Sequence, residues 1–413
     1  MNYAGFRLIP CMTVCGILCN GTAIKMAFAY HINDHKTICL SAYFFKWAFQ
    51  VVSEVSELKI IRNLQRENNL NVAEIGKKNS LYLQELGGSC EVTAAWDGAA
   101  ANNSGKPPAK VAILLCTMHG QEFLDEQLVS IEQQSHPNWV VHASDDGSLD
   151  DTHAILERFL TRTGSEKVSI HSGPAQGFAR NFLFLTCGAE KCADYYAYAD
   201  QDDIWENDKL SRAVQYLESI PADTPALYCS RTLLVNRDGH PIGLSPLFTR
   251  PPSFCNALVQ NIGGGNTMVF NEAARTLLKK VGNGTPVVSH DWWAYMVVTG
   301  CGGRVFYDPR PTVRYRQHGN NLIGANTEWC ARLSRIKWLL KNRFKNWGDI
   351  NTRALQKIYA DLTPENRKIF DLFCEARTRP LLPRLAGLKH AGIYRQTLLG
   401  NISLIAAALL NKL

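Results

Sequence analysis

The stretch YYAYADQDDIW, residues 195–205, decides the fold. Tyr195 to Ala199 alternate bulky and small residues in a run that reads as a buried strand. The run stops at Asp200, and Asp202 and Asp203 follow at once. Three carboxylates therefore stand at the C-terminal end of a strand. In an open α/β sheet that edge is where ligands bind. Carboxylate oxygens there suit Mg²⁺ or Mn²⁺, hard ions that bridge the oxygens of a diphosphate. The same residues also read as a solvated acidic turn, with Asp203 as N-cap of a helix over 205–217. The flanking sequence has to choose between the two.

Upstream, strands and helices alternate from Val111. VAILLCT (111–117) is an apolar strand, and QEFLDEQLVSIEQQ (121–134) is a helix with Leu124, Leu128 and Ile131 on one face. WVVHAS (139–144) and VSIHS (168–172) are strands, separated by a helix around Ile155 and Phe159 and followed by one over 179–187. Repeated βα units mean a parallel sheet covered on both faces. The loop SDDGSLD (144–150) again closes a strand with acids: Gly147 permits a tight turn and Asp150 or Asp151 can cap the next helix. Capping leaves Asp145 and Asp146 at the sheet edge, where a ribose hydroxyl or a base N–H is a suitable partner.

Downstream the pattern is less regular. ALYCSRTLLV (226–235) and the turn at 236–239 predict a hairpin, and GGGNTMVFN (263–271) is a glycine turn feeding a strand. No GK[ST] follows it, so it is not a phosphate-cradling P-loop. SHDWWAYMVV (289–298) starts a helix at Asp291, which also suits an N-cap. YRQHGNN (315–321) gathers Arg316, Gln317 and His318 in one turn.

The totals fit a folded enzyme-sized chain of two or three domains: 413 residues, 46% hydrophobic and 20% charged. Thirteen cysteines include no CxxC pair, which argues against a zinc site or disulfide framework and for a reducing cytoplasm. Leu8 to Ile24 is interrupted by Pro10, Asn20 and Gly21 and makes a poor transmembrane span, and Lys25 disfavours a signal-peptide cleavage site near Ala29. Residues 97–109, DGAAANNSGKPPA, read as a linker. Positive charge concentrates at the far end, where residues 329–413 carry 16 Lys and Arg against 5 Asp and Glu. From Trp329 to Trp347 the apolar Leu333, Ile336, Leu340 and Phe344 recur at helical spacing among six basic residues, and Ile402 to Leu410 adds a short apolar run. An anionic membrane surface is the expected partner, and a helix packed on the main domain is the alternative. No motif supports nucleic acid.

Taken in order, VAILLCTMHGQEFLDEQL, SDDGSLDDT, ADQDDIWENDKL, GGGNTMVFN, HDWW and YRQHGNNLIG resemble family 2 glycosyltransferases, and within them the rhamnosyltransferase-like members of bacterial surface polysaccharide assembly. The resemblance covers about 111–324. It implies the GT-A nucleotide-diphospho-sugar transferase fold, α/β with a mostly parallel sheet flanked by helices. Residues 110–325 would form that domain, behind an N-terminal extension (1–109) and ahead of a basic C-terminal helical region (326–413). It implies inverting transfer from a nucleotide-diphosphate sugar, dTDP-rhamnose or a UDP-sugar, with Mg²⁺ or Mn²⁺, to a glycan or lipid-linked hydroxyl at the inner face of the plasma membrane.

Carried onto this sequence, the resemblance matches Thr117 and Asp145 to contacts with base and ribose, with Asp146 beside them. Asp200 and Asp202 match the DxD motif, Asp202 as metal ligand with Asp203 in support. Asp291 matches the general base, and His318 with Arg316 a late element touching metal or diphosphate. Met118 and His119 replace an aromatic residue and Asn that are usual in such enzymes. Two other classes compete: a nucleotidyltransferase, for which a Gly-rich basic loop near Thr117 is missing, and a non-catalytic nucleotide-sugar-binding module, against which Asp291 argues.

Overall fold

The computed structural model describes residues 107–188, 193–318 and 342–413. The expectations for the first hundred residues, most of the linker, the end of YRQHGNN and the basic helix as far as Lys341 lie outside the described residues.

The alternation from Val111 is present. Strands β1 (Val111–Thr117), β2 (Trp139–Asp145), β3 (Val168–Ser172) and β4 (Tyr195–Asp200) are joined through helices α1 (Leu124–Glu132), α2 (Thr152–Thr163) and α3 (Phe178–Gly188). Then come β5 (Ile204–Trp205), α4 (Lys209–Glu218), β6 (Ala226–Val235), β7 (Pro241–Leu244), α5 (Phe254–Ala257), β8 (Val269–Asn271), α6 (Glu272–Val281), α7 (His290–Gly300) and β9 (Arg304–Arg316). The strands form one sheet in the order β3-β2-β1-β4-β8-β6-β9-β5, with β7 paired to β6. β1 to β4 are mutually parallel, whereas β8 runs antiparallel to both β4 and β6. The expected α/β architecture is thus a parallel half joined to a mixed half at β4.

Register places the site. Thr117 pairs with Asp145, and Cys116 lies between Ser144 and Asp200, so the C-terminal ends of β1, β2 and β4 finish in one row. Alternate residues of β1 face opposite sides of the sheet. Ile113 and Leu115 pack with Leu124, Leu128, Ile155, Phe159 and Leu210. Leu114 and Cys116 pack on the other side with Phe182, Trp293 and Met296. Each fully buried Leu, Ile or Phe contributes about 1.5–3 kcal/mol of transfer free energy, so both faces are strongly closed.

Two expected boundaries move for a physical reason. The helix expected over 205–217 starts at Lys209 behind Asp208. Ile204 and Trp205 are drawn instead into pairing with Arg314 and Val313 of β9, so Asp203 caps nothing. The helix expected from residue 121 starts at Leu124, after Gly120 has spent its N–H on Thr152 Oγ1.

The C-terminal helices α8 (Arg343–Gln356), α9 (Pro364–Thr378), α10 (Leu381–His390) and α11 (Leu398–Leu409) include a buttress for α7. Asn366 Nδ2 donates to Thr299 O and Gly300 O, and Thr363 N donates to Gly300 O, which satisfies carbonyls at the end of α7. Leu362, Phe370 and Phe373 share the apolar cluster of that helix. Among the described residues no helix is long and apolar enough to cross a membrane.

Asn271 closes the junction of the mixed half. Its Oδ1 accepts from Ala226 N at 2.9 Å and, as N-cap of α6, from Ala274 N at 3.0 Å, while Nδ2 donates to Thr224 O at 2.8 Å. Asn271→Ala leaves these buried groups unpaired and should lower the unfolding free energy by about 2 kcal/mol or more. Urea unfolding of the variant checks this, and a change below about 0.5 kcal/mol would contradict it.

Candidate active site

The parallel half builds its edge from hydrogen bonds between loops. Thr117 Oγ1 donates to Asp145 Oδ1 at 2.8 Å, and Asp145 also accepts from Ser148 Oγ at 2.6 Å and Ser148 N at 2.8 Å. Ser148 Oγ in turn accepts from His119 N, so the loops after β1 and β2 are stitched together. Asp150, and not Asp151, supplies the cap of α2: its Oδ1 accepts from Thr152 N and Thr152 Oγ1. The side chain of Gln201 closes the other flank, accepting from Met118 N at 2.8 Å and donating to Met118 O at 2.9 Å. Thr117 and Asp145 thus sit together, as the sequence leads one to expect.

Asp146 does not join them. It is buried, and its two oxygens accept from Ala175 N at 2.7 Å and Gly177 N at 2.8 Å. The carboxylate ties down the loop that precedes α3, which corrects its expected place beside a ribose.

At the end of β4 the acids crowd. Asp200 is half-buried, and its carboxyl is pushed up to about 8, first by loss of hydration and then by the negative charges of Asp202 and Asp291. Asp202 Oδ2 accepts from His318 Nε2 at 2.8 Å, and the His318 ring lies 5.1 Å from that of Phe123. Asp200, Asp202, Asp291 and His318 therefore share one neighbourhood, although they come from β4, the loop after it, α7 and the segment just after β9.

Asp203 turns the other way. It is fully buried, its Oδ2 accepts from Asn266 Nδ2 at 2.6 Å, and burial raises its carboxyl well above the carboxylate range, with Asp202 and Asp200 adding to the effect. Lys209 lies behind it, equally buried, with Nζ 3.8 Å over the Trp205 ring. An inward carboxyl of this kind braces the loop and cannot face an ion at the sheet edge, against the expectation for Asp203.

Arg316 is also corrected. It is the last residue of β9, not part of a turn, and only 2% exposed. Its guanidinium donates from Nε to Asp202 O at 3.1 Å, from Nη1 to Arg237 O and from Nη2 to Glu126, and it stacks 4.6 Å over the Phe123 ring. The planar fork is spent on fixing the acidic loop.

Asp291 lies in the first turn of α7, with Ser289 as the N-cap. Its Oδ2 accepts from Gly265 N at 3.1 Å and its Oδ1 from Trp292 N at 2.6 Å. The glycine turn of the sequence is thus a donor to this carboxylate. Gln201, Asn266, Ser148 and Gly265 were not singled out from sequence as site residues. All four do lie inside the motifs: Ser148 in SDDGSLD, Gln201 in ADQDDIW, and Gly265 and Asn266 in GGGNTM.

Among the described residues no three His, Cys, Asp or Glu side chains gather into a ready metal cage. The arrangement suits an ion held by one or two carboxylates and completed by phosphate oxygens, as is usual for Mg²⁺. Asp202 and Asp200 are the carboxylates available, and a cation would relieve the repulsion that raises Asp200.

Residues 112–278 match the family model described as glycosyl transferase family 2. The chain is 28% identical over 239 residues to a dTDP-rhamnosyl transferase of Shigella flexneri, RfbG, covering 56% of this chain and 80% of that one. It is 27% identical over 112 residues to a putative teichuronic acid biosynthesis glycosyltransferase of Bacillus subtilis, TuaG, covering 26% and 41%. Two solved structures that align with it are Staphylococcus aureus TarS 1–349 in complex with UDP-GlcNAc, at 14% identity and TM-score 0.43 over 69% of this chain and 93% of that one, and a mannosyltransferase of Pyrobaculum calidifontis in complex with GDP-Man and Mn²⁺, at 19% identity and TM-score 0.40 over 74% and 88%.

If Arg316 clamps the loop, Arg316→Ala should cost about 2–4 kcal/mol of stability, because it leaves Glu126 and two carbonyls without their donor. Thermal unfolding checks this. Unchanged stability with weakened nucleotide binding would restore the direct contact expected from sequence.

Proposed function

We propose that this glycosyltransferase, whose residues 112–278 are a family 2 domain, moves a sugar with inversion from a nucleotide-diphosphate donor to a hydroxyl of a glycan or lipid-linked glycan. The observation that carries the reading is the convergence of acids: Asp200 feels both Asp202 and Asp291, and Asp202 bonds His318, so the acid of α7 and the acids at the end of β4 share one neighbourhood. Thr117 and Asp145 occupy the adjacent strand ends, where base and ribose would lie. dTDP-rhamnose is the donor we favour over a UDP-sugar, because the dTDP-rhamnosyl transferase of Shigella flexneri is similar over 80% of its length.

Breaking the bond between the anomeric carbon and the diphosphate leaves negative charge on the leaving group. Asp202 and Asp200, beside His318, would hold a Mg²⁺ or Mn²⁺ ion, which would supply charge neutralisation there. Asp291 takes the proton of the acceptor hydroxyl as that oxygen attacks the opposite face of the sugar. Gly265 N and Trp292 N orient its carboxylate for this step.

For the acceptor side, the partner this reading favours is an anionic membrane surface on the cytoplasmic side. Residues 380–413 contain no Asp or Glu, include Lys389, Arg395 and Lys412, and expose Leu381, Leu382, Leu399 and Ile402 on α10 and α11. Exposed apolar side chains in a basic segment are what an interfacial element requires. Flotation with anionic vesicles at low salt should carry the protein, and added salt or neutral vesicles should release it. Protein that stays in solution with anionic vesicles would defeat this part.

Two measurements test the enzyme reading. In thermal unfolding with dTDP, UDP or GDP, each with Mn²⁺ or EDTA, dTDP with Mn²⁺ should give the largest shift, about 2.7 kcal/mol at 100 times its Kd. Asp291→Asn should lower turnover about 10²–10⁴-fold and leave that shift intact. A shift indifferent to EDTA would remove the metal from the proposal, and joint loss of turnover and binding would move Asp291 into the donor site.

A further inference from the structure

We propose that His290 is a positioning residue, whose ring fixes the place of the Asp291 carboxylate by pressing on Gly265. The inference rests on the reading of Asp291 as the base.

The His290 ring is 3% exposed and wedged among aromatics. It stacks on Phe182 at 3.8 Å, meets Tyr198 edge-on at 4.7 Å, and has Phe178 at 6.1 Å. Neither ring nitrogen has a hydrogen-bond partner among the described residues. Leaving a buried polar atom unpaired costs about 1–3 kcal/mol, so hydrogen bonding is not what the imidazole contributes here. Loss of hydration outweighs the nearby Asp291 charge and lowers the ring to about 4, which keeps it neutral. What remains for it to contribute is shape.

Gly265 shows where that shape is felt. Its φ is not in the left-handed region, so the backbone does not demand glycine. The ring does: a Cβ at residue 265 would stand 2.3 Å from His290 Nε2. The same Gly265 donates its N–H to Asp291 Oδ2. One residue therefore touches the imidazole edge with its Cα side and the base with its amide. The Gly265–Thr267 turn cannot approach α7 more closely than the ring allows, and the hydrogen bond keeps it from retreating.

The far face of the ring extends this to the donor side. Phe178 and Phe182 open α3, directly after the loop that Asp146 ties down. The ring is thus the spacer between the helix following the nucleotide loops and the turn that orients the base. A phenylalanine ring is one atom longer towards Gly265 and should act as an added Cβ would, whereas alanine at 290 should make room for one.

The test uses the full chain and four variants: Gly265→Ala, His290→Phe, His290→Ala and the double variant Gly265→Ala/His290→Ala. Displacing a base by an ångström costs up to about 10²-fold. Accordingly, Gly265→Ala and His290→Phe should each lower kcat at least about tenfold while donor KM stays within about twofold. The double variant should regain most of the kcat that Gly265→Ala loses. Should Gly265→Ala fail to fold, folding of the double variant is the same rescue. Full kcat in His290→Phe, or a double variant that is folded, binds dTDP normally and is no faster than Gly265→Ala, would overturn the proposal. Asp291→Asn separates the two levels. If it keeps its turnover, the base reading itself is wrong. If it is inactive while Gly265→Ala and His290→Phe keep full activity, only the spacer is wrong.

Discussion

The crowding of four carboxylates at one partly dry sheet edge, through lost hydration first and mutual repulsion second, is the constraint around which the site is arranged. Asp200, Asp202, Asp203 and Asp291 converge on one partly dry edge, where each negative charge makes the next more costly. The structure deals with each differently. Asp203 is withdrawn into the interior, bonded to Asn266 and backed by Lys209. Asp202 has His318, and Asp291 has two backbone N–H groups at the start of a helix, an end that favours negative charge. The Asp200 carboxyl is raised as well, first by loss of hydration and then by the charges of Asp202 and Asp291. A protein that wanted only stability would not assemble such a cluster; on the proposed reading, a cation with a diphosphate would turn its cost into binding.

Holding that edge open requires rigid surroundings, and the charged residues that surround it mostly serve that end. Arg316 grips the backbone of Asp202 and joins it to α1 and to the β6–β7 hairpin. Gln201 locks the loop after β1. Asp146 locks the loop before α3. Each lies beside a residue to which the proposed reading gives a direct task, which is why motif position alone does not separate the two kinds. The distinction is in burial: Asp146 and Arg316 are buried with their polar atoms turned onto the loops they tie, whereas Asp202 and Asp291 stay partly exposed.

That distinction also marks how far the sequence could be read. The parallel half was legible because its signals are local: apolar runs of strand length ended by Asp145 and Asp200, with helical periodicity between them. The hairpin at 236–239 and a helix beginning near Asp291 were legible for the same reason, although Ser289 and not Asp291 is its N-cap. What was not legible depends on distant pairing. Trp205 reads as helical until β9 claims it, and Arg316 reads as a turn residue until its strand is seen to run on to it. Asp203 and Asp202 are neighbours in sequence and face opposite ways, a difference set by Asn266 and His318, more than sixty residues downstream of either.

The helix α7 brings these threads together. Its C-terminal carbonyls are satisfied by Asn366 and Thr363, and Gly300 packs against Leu362 and Phe254, so the far end is anchored by the C-terminal helices. Its flank is fully buried from Trp293 to Val298. A helix fixed along its length and at its far end leaves freedom only in its first turn, and that turn carries His290 and Asp291. The position of the Asp291 carboxylate is then decided by what meets the first turn, which is the glycine at 265. On this view the C-terminal region does more than offer a basic surface. It removes the slack in α7, so that a contact as small as one ring edge against one Cα is enough to place the carboxylate.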